Sequence, residues 1–122
     1  MERLIRVQDG RTVAHSVLRA PTRMARVRGL LGQSSMVPGA ALMLEPARQV
    51  HTMGMRFPID VVFCDRELNV LHVIRSMRPQ RLSRVVLRAR SAIELEAGGA
   101  HGLSRGDRLA FSPASGSSDR SR

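Results

Sequence analysis

At 122 residues the chain has room for about one domain, and 43% hydrophobic residues can supply a core, but aromatics are only 2%, three Phe with no Trp or Tyr. Aliphatic side chains and seven Met must therefore fill the interior, and single-strand recognition by aromatic stacking is disfavoured. The formal net charge is +10, from 20 Arg and no Lys against 10 acidic residues; arginine forks match phosphate and carboxylate, but here they are spread along the chain as on ordinary solvated faces.

Met1 to Arg6 contains no apolar h-region, so no secretory signal is expected and a cytoplasmic location is the default. Leu4–Val7 and Thr12–Val17 flank Asp9-Gly10, which predicts a hairpin. A helix is expected over about 22–31, started by Pro21 or Thr22 and stopped by Gly32. Met24, Val27 and Leu31 share its apolar face, and Arg28 falls beside them, where it needs a carboxylate or carbonyl partner. Ser34–Gly39 reads as a loop, with short extended pieces at Ala41–Leu44 and Val50–Thr52 around Pro46. The uncharged run Leu30–Leu44 is too short to span a bilayer and is broken by Gly32, Pro38 and Gly39, so no membrane partner is expected.

Ile59–Cys64 and Val70–Ile74 are the clearest strands, joined by a loop of hairpin length. Alternation puts Ile59, Val61 and Phe63 on one face of the first, and Asp60, Val62 and Cys64 on the other. Arg84–Arg88 and Ala92–Leu95 read as further strands, Gly98–Leu103 as a turn or short helix, and Gly106-Asp107 as a turn into a last strand, Arg108–Phe111. The expected architecture is α+β: a mostly antiparallel, barrel-like β-sheet with one α-helix (about 22–31) packed on it. One β-rich domain spans 1–111, and the Ser/Gly/Arg tail 112–122 is expected to be disordered.

Four stretches occur in a familiar order: Arg28-Gly29-Leu30-Leu31-Gly32, His51 through Phe63, Ala92-Ile93-Glu94-Leu95-Glu96-Ala97-Gly98, and Gly102-Leu103-Ser104-Arg105-Gly106-Asp107. The chain resembles the domain-of-unknown-function family 192, the uncharacterised ancient conserved region family, from about Val17 to Leu109. The resemblance implies a compact, mostly β domain and no established activity. The commoner pattern ahead of the family's Pro-Leu-Asp element is an aromatic followed by Met, Lys and Asn. Those places hold His51, Thr52, Met53 and Gly54 here, so a ligand role of the Lys and Asn would pass to His51 and Arg56.

The candidate site residues are Arg28, His51, Arg56, Asp60 and Glu94. Asp60, in an apolar strand, must accept from a donor; Arg56 or Arg28 are natural partners. The cluster His51, Arg56, Asp60 and Arg28 would then line a cleft for a small anionic or polar ligand. The competing reading makes Asp60 a turn cap or a brace between helix and sheet. Glu94 and Glu96 stand about 7 Å apart on one strand face, a spacing that suits acid/base work or the neutralisation of an arginine. Cys64 reads as a small buried hydrophobe rather than a nucleophile. The four His lie far apart and no paired Cys or His spacing suggests zinc, so neither metal nor cofactor is expected.

These residues complete no catalytic constellation. A non-catalytic ligand-binding or accessory module with a polar cleft ranks first. Nucleic-acid or acidic-partner binding through surface arginines ranks second, and a small hydrolase or transferase with His51 or Glu94 as base third.

Overall fold

The computed structural model describes residues 2–20 and 36–113. Asp9-Gly10 makes the first hairpin as the sequence predicts. Strand β1 (Glu2–Arg6) pairs antiparallel with β2 (Thr12–Ala14), and Gly10 takes the turn at φ 72°, a conformation side chains disfavour. After His15 the chain leaves that hairpin as β3 (Ser16–Ala20), which pairs in parallel with β4 (Ala40–Leu44). The connection between them covers residues 21–39. Most of it, including the helix expected at 22–31 and with it Arg28, lies outside the described residues.

Strands β5 (Ile59–Cys64), β6 (Val70–Met77) and β7 (Ser91–Glu96) complete a five-stranded sheet in the order β3-β4-β7-β5-β6. Strand β8 (Leu109–Pro113) returns to β1 and closes a three-stranded sheet in the order β2-β1-β8. The α+β, barrel-like expectation is thereby overturned: the described residues are all-strand and form two open sheets with no closed barrel. Short alternating strands with frequent turns serve a two-layer packing as well as a barrel, because either arrangement buries one face of each strand. The strand expected at 84–88 is also absent. Only Val86 bonds across there, its N–H to the Arg48 carbonyl, and Val85 stays 47% exposed, so the β-branched pair marks an irregular segment. Among the described residues no helix is long and apolar enough to cross a membrane.

The large sheet is apolar on both faces, which explains why β5 is buried along its whole length. Leu4, Ala14 and Leu109 of the small sheet pack with Val62, Cys64, Ile93 and Leu95 on one face. On the other, Ile59, Val61 and Phe63 meet Ala47, Val50, Met55, Phe57 and Met77, contributed largely by the irregular segments that cover it. The alternation read from Ile59 to Cys64 therefore assigns its residues to the correct faces.

Candidate functional site

Asp60 is 1% exposed, and its donors among the described residues are all main-chain amides. Opposite it, β6 carries a bulge: Ile59 pairs with Met77 and Val61 with Ile74, so Arg75 and Ser76 stand against Asp60 alone. Ser76, at φ 52°, turns its N–H onto Asp60 Oδ1 at 2.8 Å. Asp60 Oδ2 accepts from Gly98 N at 3.0 Å and Ala100 N at 2.9 Å, holding the turn that follows β7. Gly98 sits at φ 94° within that turn. Arg75, the other bulged residue, donates to the carbonyls of Ala100 and Leu103. Asp60 thus caps a turn and braces a bulge, and Arg56 is exposed.

Neither His51 nor Glu94 is among its described partners. His51 is half-buried in an isolated bridge to Leu82, its Nδ1 accepting from Met53 N at 3.3 Å. Glu94 is fully buried between Leu42 of β4 and Val61 of β5, on the same face as Ala92, while Glu96 is half-buried at the strand end. Cys64 is fully buried, and burial together with the Asp65 charge pushes its thiol up to about 12, so it stays protonated. Among the described residues no group of three His, Cys, Asp or Glu could hold a metal ion.

The segment 51–57, which carries His51 and Arg56 of the expected cleft, is a strap tied down by Thr52. Its side chain is fully buried; Oγ1 donates to the Arg78 carbonyl at 2.6 Å and accepts from Arg81 N at 2.9 Å. Its own N–H donates to the Arg81 carbonyl, and its carbonyl accepts from Gln80 N. Thr52→Val keeps the shape but strands the Arg81 amide and the Arg78 carbonyl, at a cost of about 1–3 kcal/mol. Urea unfolding should show that loss, with faster amide exchange at Arg81; unchanged stability would mean that Thr52 only fills space.

The concave site lies elsewhere. A groove of about 630 Å³ is lined by Leu71, His72, Val73 and Arg75 of β6, by residues 84–88, and by Leu103, Ser104 and Arg105. Three consecutive residues of one strand cannot share a face, since successive side chains alternate, so the groove runs along the outer edge of β6. One wall is the 84–88 segment, anchored through Val86, which packs on the same core cluster as Leu71 and Ile74 and bonds the Arg48 carbonyl. The other is the turn carrying Leu103, which lies in the core cluster that Val73 packs against and is held by Asp60 and Arg75.

The groove contains Arg75, Arg84, Arg88 and Arg105 and no acidic residue. Arg84, Arg88 and Arg105 are exposed, and their side chains form no hydrogen bond or ion pair among the described residues. By contrast Arg6, Arg19 and Arg90 are matched with Asp107 and Asp9, Glu2 and Glu45. Burial, and then the Arg84 charge, hold His72 below the usual histidine value. None of His51, Arg56, Asp60 and Glu94 lines this groove. A signal for it is present in the sequence: six Arg fall between Arg75 and Arg90, and no acidic residue occurs between Glu67 and Glu94.

Comparison with known proteins bears on the fold. Residues 5–111 match the profile of DUF192, described as an uncharacterized ACR. No curated protein matches the chain. A crystal structure described as a proposed transcription regulator from Sinorhizobium meliloti is similar over 90% of this chain and 91% of that one, with 24% identity and a TM-score of 0.67. A protein of unknown function from Novosphingobium aromaticivorans is similar over 89% of this chain and 82% of that one, with 14% identity and a TM-score of 0.71. At these identities the likeness is one of fold alone.

Proposed function

Because the chain belongs to the uncharacterised DUF192 family, whose membership fixes no chemistry, we propose from the site itself that it is a non-catalytic accessory module that binds an anionic ligand. The observation that carries this is the groove beside β6, where three arginines without acidic partners meet no negative lining. Unpaired guanidinium groups on two facing walls form a ready clamp for phosphate or carboxylate. The cluster around His51, Arg56 and Asp60 is the weaker candidate, because Asp60 is buried and committed to three main-chain amides. A base at His51 or Glu94 would need a nucleophile or substrate in reach, and neither residue lines the groove.

Inorganic pyrophosphate is a suitable probe, titrated calorimetrically at low ionic strength. The wild-type protein should bind it, and added salt should weaken that binding by screening. An Arg84→Ala, Arg88→Ala, Arg105→Ala variant should lose roughly tenfold or more in affinity while its unfolding midpoint barely moves, as befits exposed side chains. The same anion should raise the His72 pKa by offsetting the adjoining Arg84 charge, visible in an NMR titration. Equal binding by both proteins, or none by wild type, would remove the reading.

A further inference from the structure

The floor of the groove is a strand edge as well as a charged surface. β6 is the last strand of its sheet, and at Val70 its outer side is taken: the Val70 N–H bonds the Asp107 carbonyl, and its C=O accepts from Gly106 N. Past that point, no described residue gives Leu71 to Arg75 a main-chain partner on the outer side. That stretch is about 17 Å long by strand geometry, enough for an added strand of several residues. Beside it Leu87 is 75% exposed and Val85 47% exposed, two apolar side chains on the wall that carries Arg84 and Arg88.

We propose, resting on the anion-binding reading above, that the occupant of this groove is an extended acidic peptide that adds as a further strand along the outer edge of β6. Its main chain bonds Leu71 to Arg75, its two faces present carboxylates to Arg84 and Arg88 on one wall and to Arg105 on the other, and apolar side chains on the first of these faces cover Val85 and Leu87. Strand addition draws affinity from main-chain hydrogen bonds and specificity from alternate side chains, and this groove offers both. The charge complementarity runs one way, since the lining contains four arginines and no carboxylate. A small anion alone would leave the apolar wall and the edge amides uncovered. A nucleic acid strand would meet the arginines but find no stacking platform, because Phe57 and Phe63 are buried and Phe111 lies under Arg19 at 4.3 Å.

The test uses the full chain and a capped peptide of about eight residues repeating Glu-Glu-Val-Val, which puts both residue types on each face of the strand and is long enough to span the exposed edge. A second peptide carries the same charges with alternate backbone nitrogens methylated, and a single-stranded oligonucleotide of matched charge is the third probe. Fluorescence anisotropy should show the first peptide binding, with a loss of roughly tenfold or more on methylation, as removed strand hydrogen bonds require. Amide exchange between Leu71 and Arg75 should slow in the complex. Equal binding of both peptides overturns strand addition, as does tighter binding of the oligonucleotide or unaltered exchange along β6. Pyrophosphate titrated into the same preparation separates the two failures: if it binds while the peptide does not, strand addition alone falls, and if neither binds, both readings fall.

Discussion

Asp60→Ala should cost about 3 kcal/mol or more of folding stability, because it strands three main-chain donors at once. The Ser76, Gly98 and Ala100 amides all point at this one carboxylate, and the Ala100 bond is buried from solvent. With the carboxylate gone, the β6 bulge loses what fixes Ser76 in its unusual backbone conformation, and the turn after β7 loses two of its anchors. In thermal unfolding the effect corresponds to a fall of roughly 10–20 °C for a domain of this size. Asp60→Asn separates charge from geometry. Its oxygen can still serve Gly98 and Ala100, but its amide then faces the Ser76 N–H as donor against donor, so a smaller loss is expected. The chain runs from that turn directly into the one that carries Arg105, so pyrophosphate affinity should fall in Asp60→Ala although Asp60 lines no part of the groove. A change below about 1 kcal/mol would show that water replaces the carboxylate and that the brace is dispensable.

The identity of this brace could not be read from the chain. The sequence indicates that Asp60 needs donors, because a carboxylate in an apolar strand has no other way to be buried. It also offers charged side chains nearby, Arg56 among them, as natural partners. The donors in fact lie 16, 38 and 40 residues away along the chain, on main-chain amides that have no side-chain signature. A bulge is a property of two paired strands, and neither strand announces it alone. Ile59 to Cys64 was legible for the opposite reason: period-two alternation sorts residues between faces whatever the sheet packs against. That same indifference hid the difference between a barrel and two open sheets. The groove falls between these cases. The arginines from Arg75 to Arg90 with no intervening acid are visible in the chain. Their convergence on Arg105 is not, since the turn holding that residue is fixed to β6 by main-chain bonds to Val70 and by the Arg75 bond to the Leu103 carbonyl, contacts that carry no sequence signature.

Phe63→Ala links the core to the groove and should carry the largest cost of any single truncation here, about 3–5 kcal/mol. Phe63 is fully buried near the end of β5 and belongs to the cluster that includes Leu44, Phe57 and Met77. It also pairs directly with His72 across the β5–β6 ladder, the two rings stacked with centroids 6.3 Å apart and planes 26° from parallel. Its removal opens a cavity beneath the groove floor and frees the imidazole. In the wild type, burial, and then Arg84, depress the His72 pKa, so the unfolded chain, near 6.5, takes up a proton before the folded one does. The contribution is present in full above pH about 6.5 and is lost as pH falls through that value toward the folded pKa. Phe63→Leu fills most of the space but offers no ring, so it should lose less stability while letting the His72 pKa rise toward its ordinary value. Urea unfolding at two pH values on either side of this window, with NMR titration of His72, reads both effects. If Phe63→Leu leaves the His72 titration where it is in the wild type, the depression comes from the arginines and the strand, and the stacked ring has no part in it.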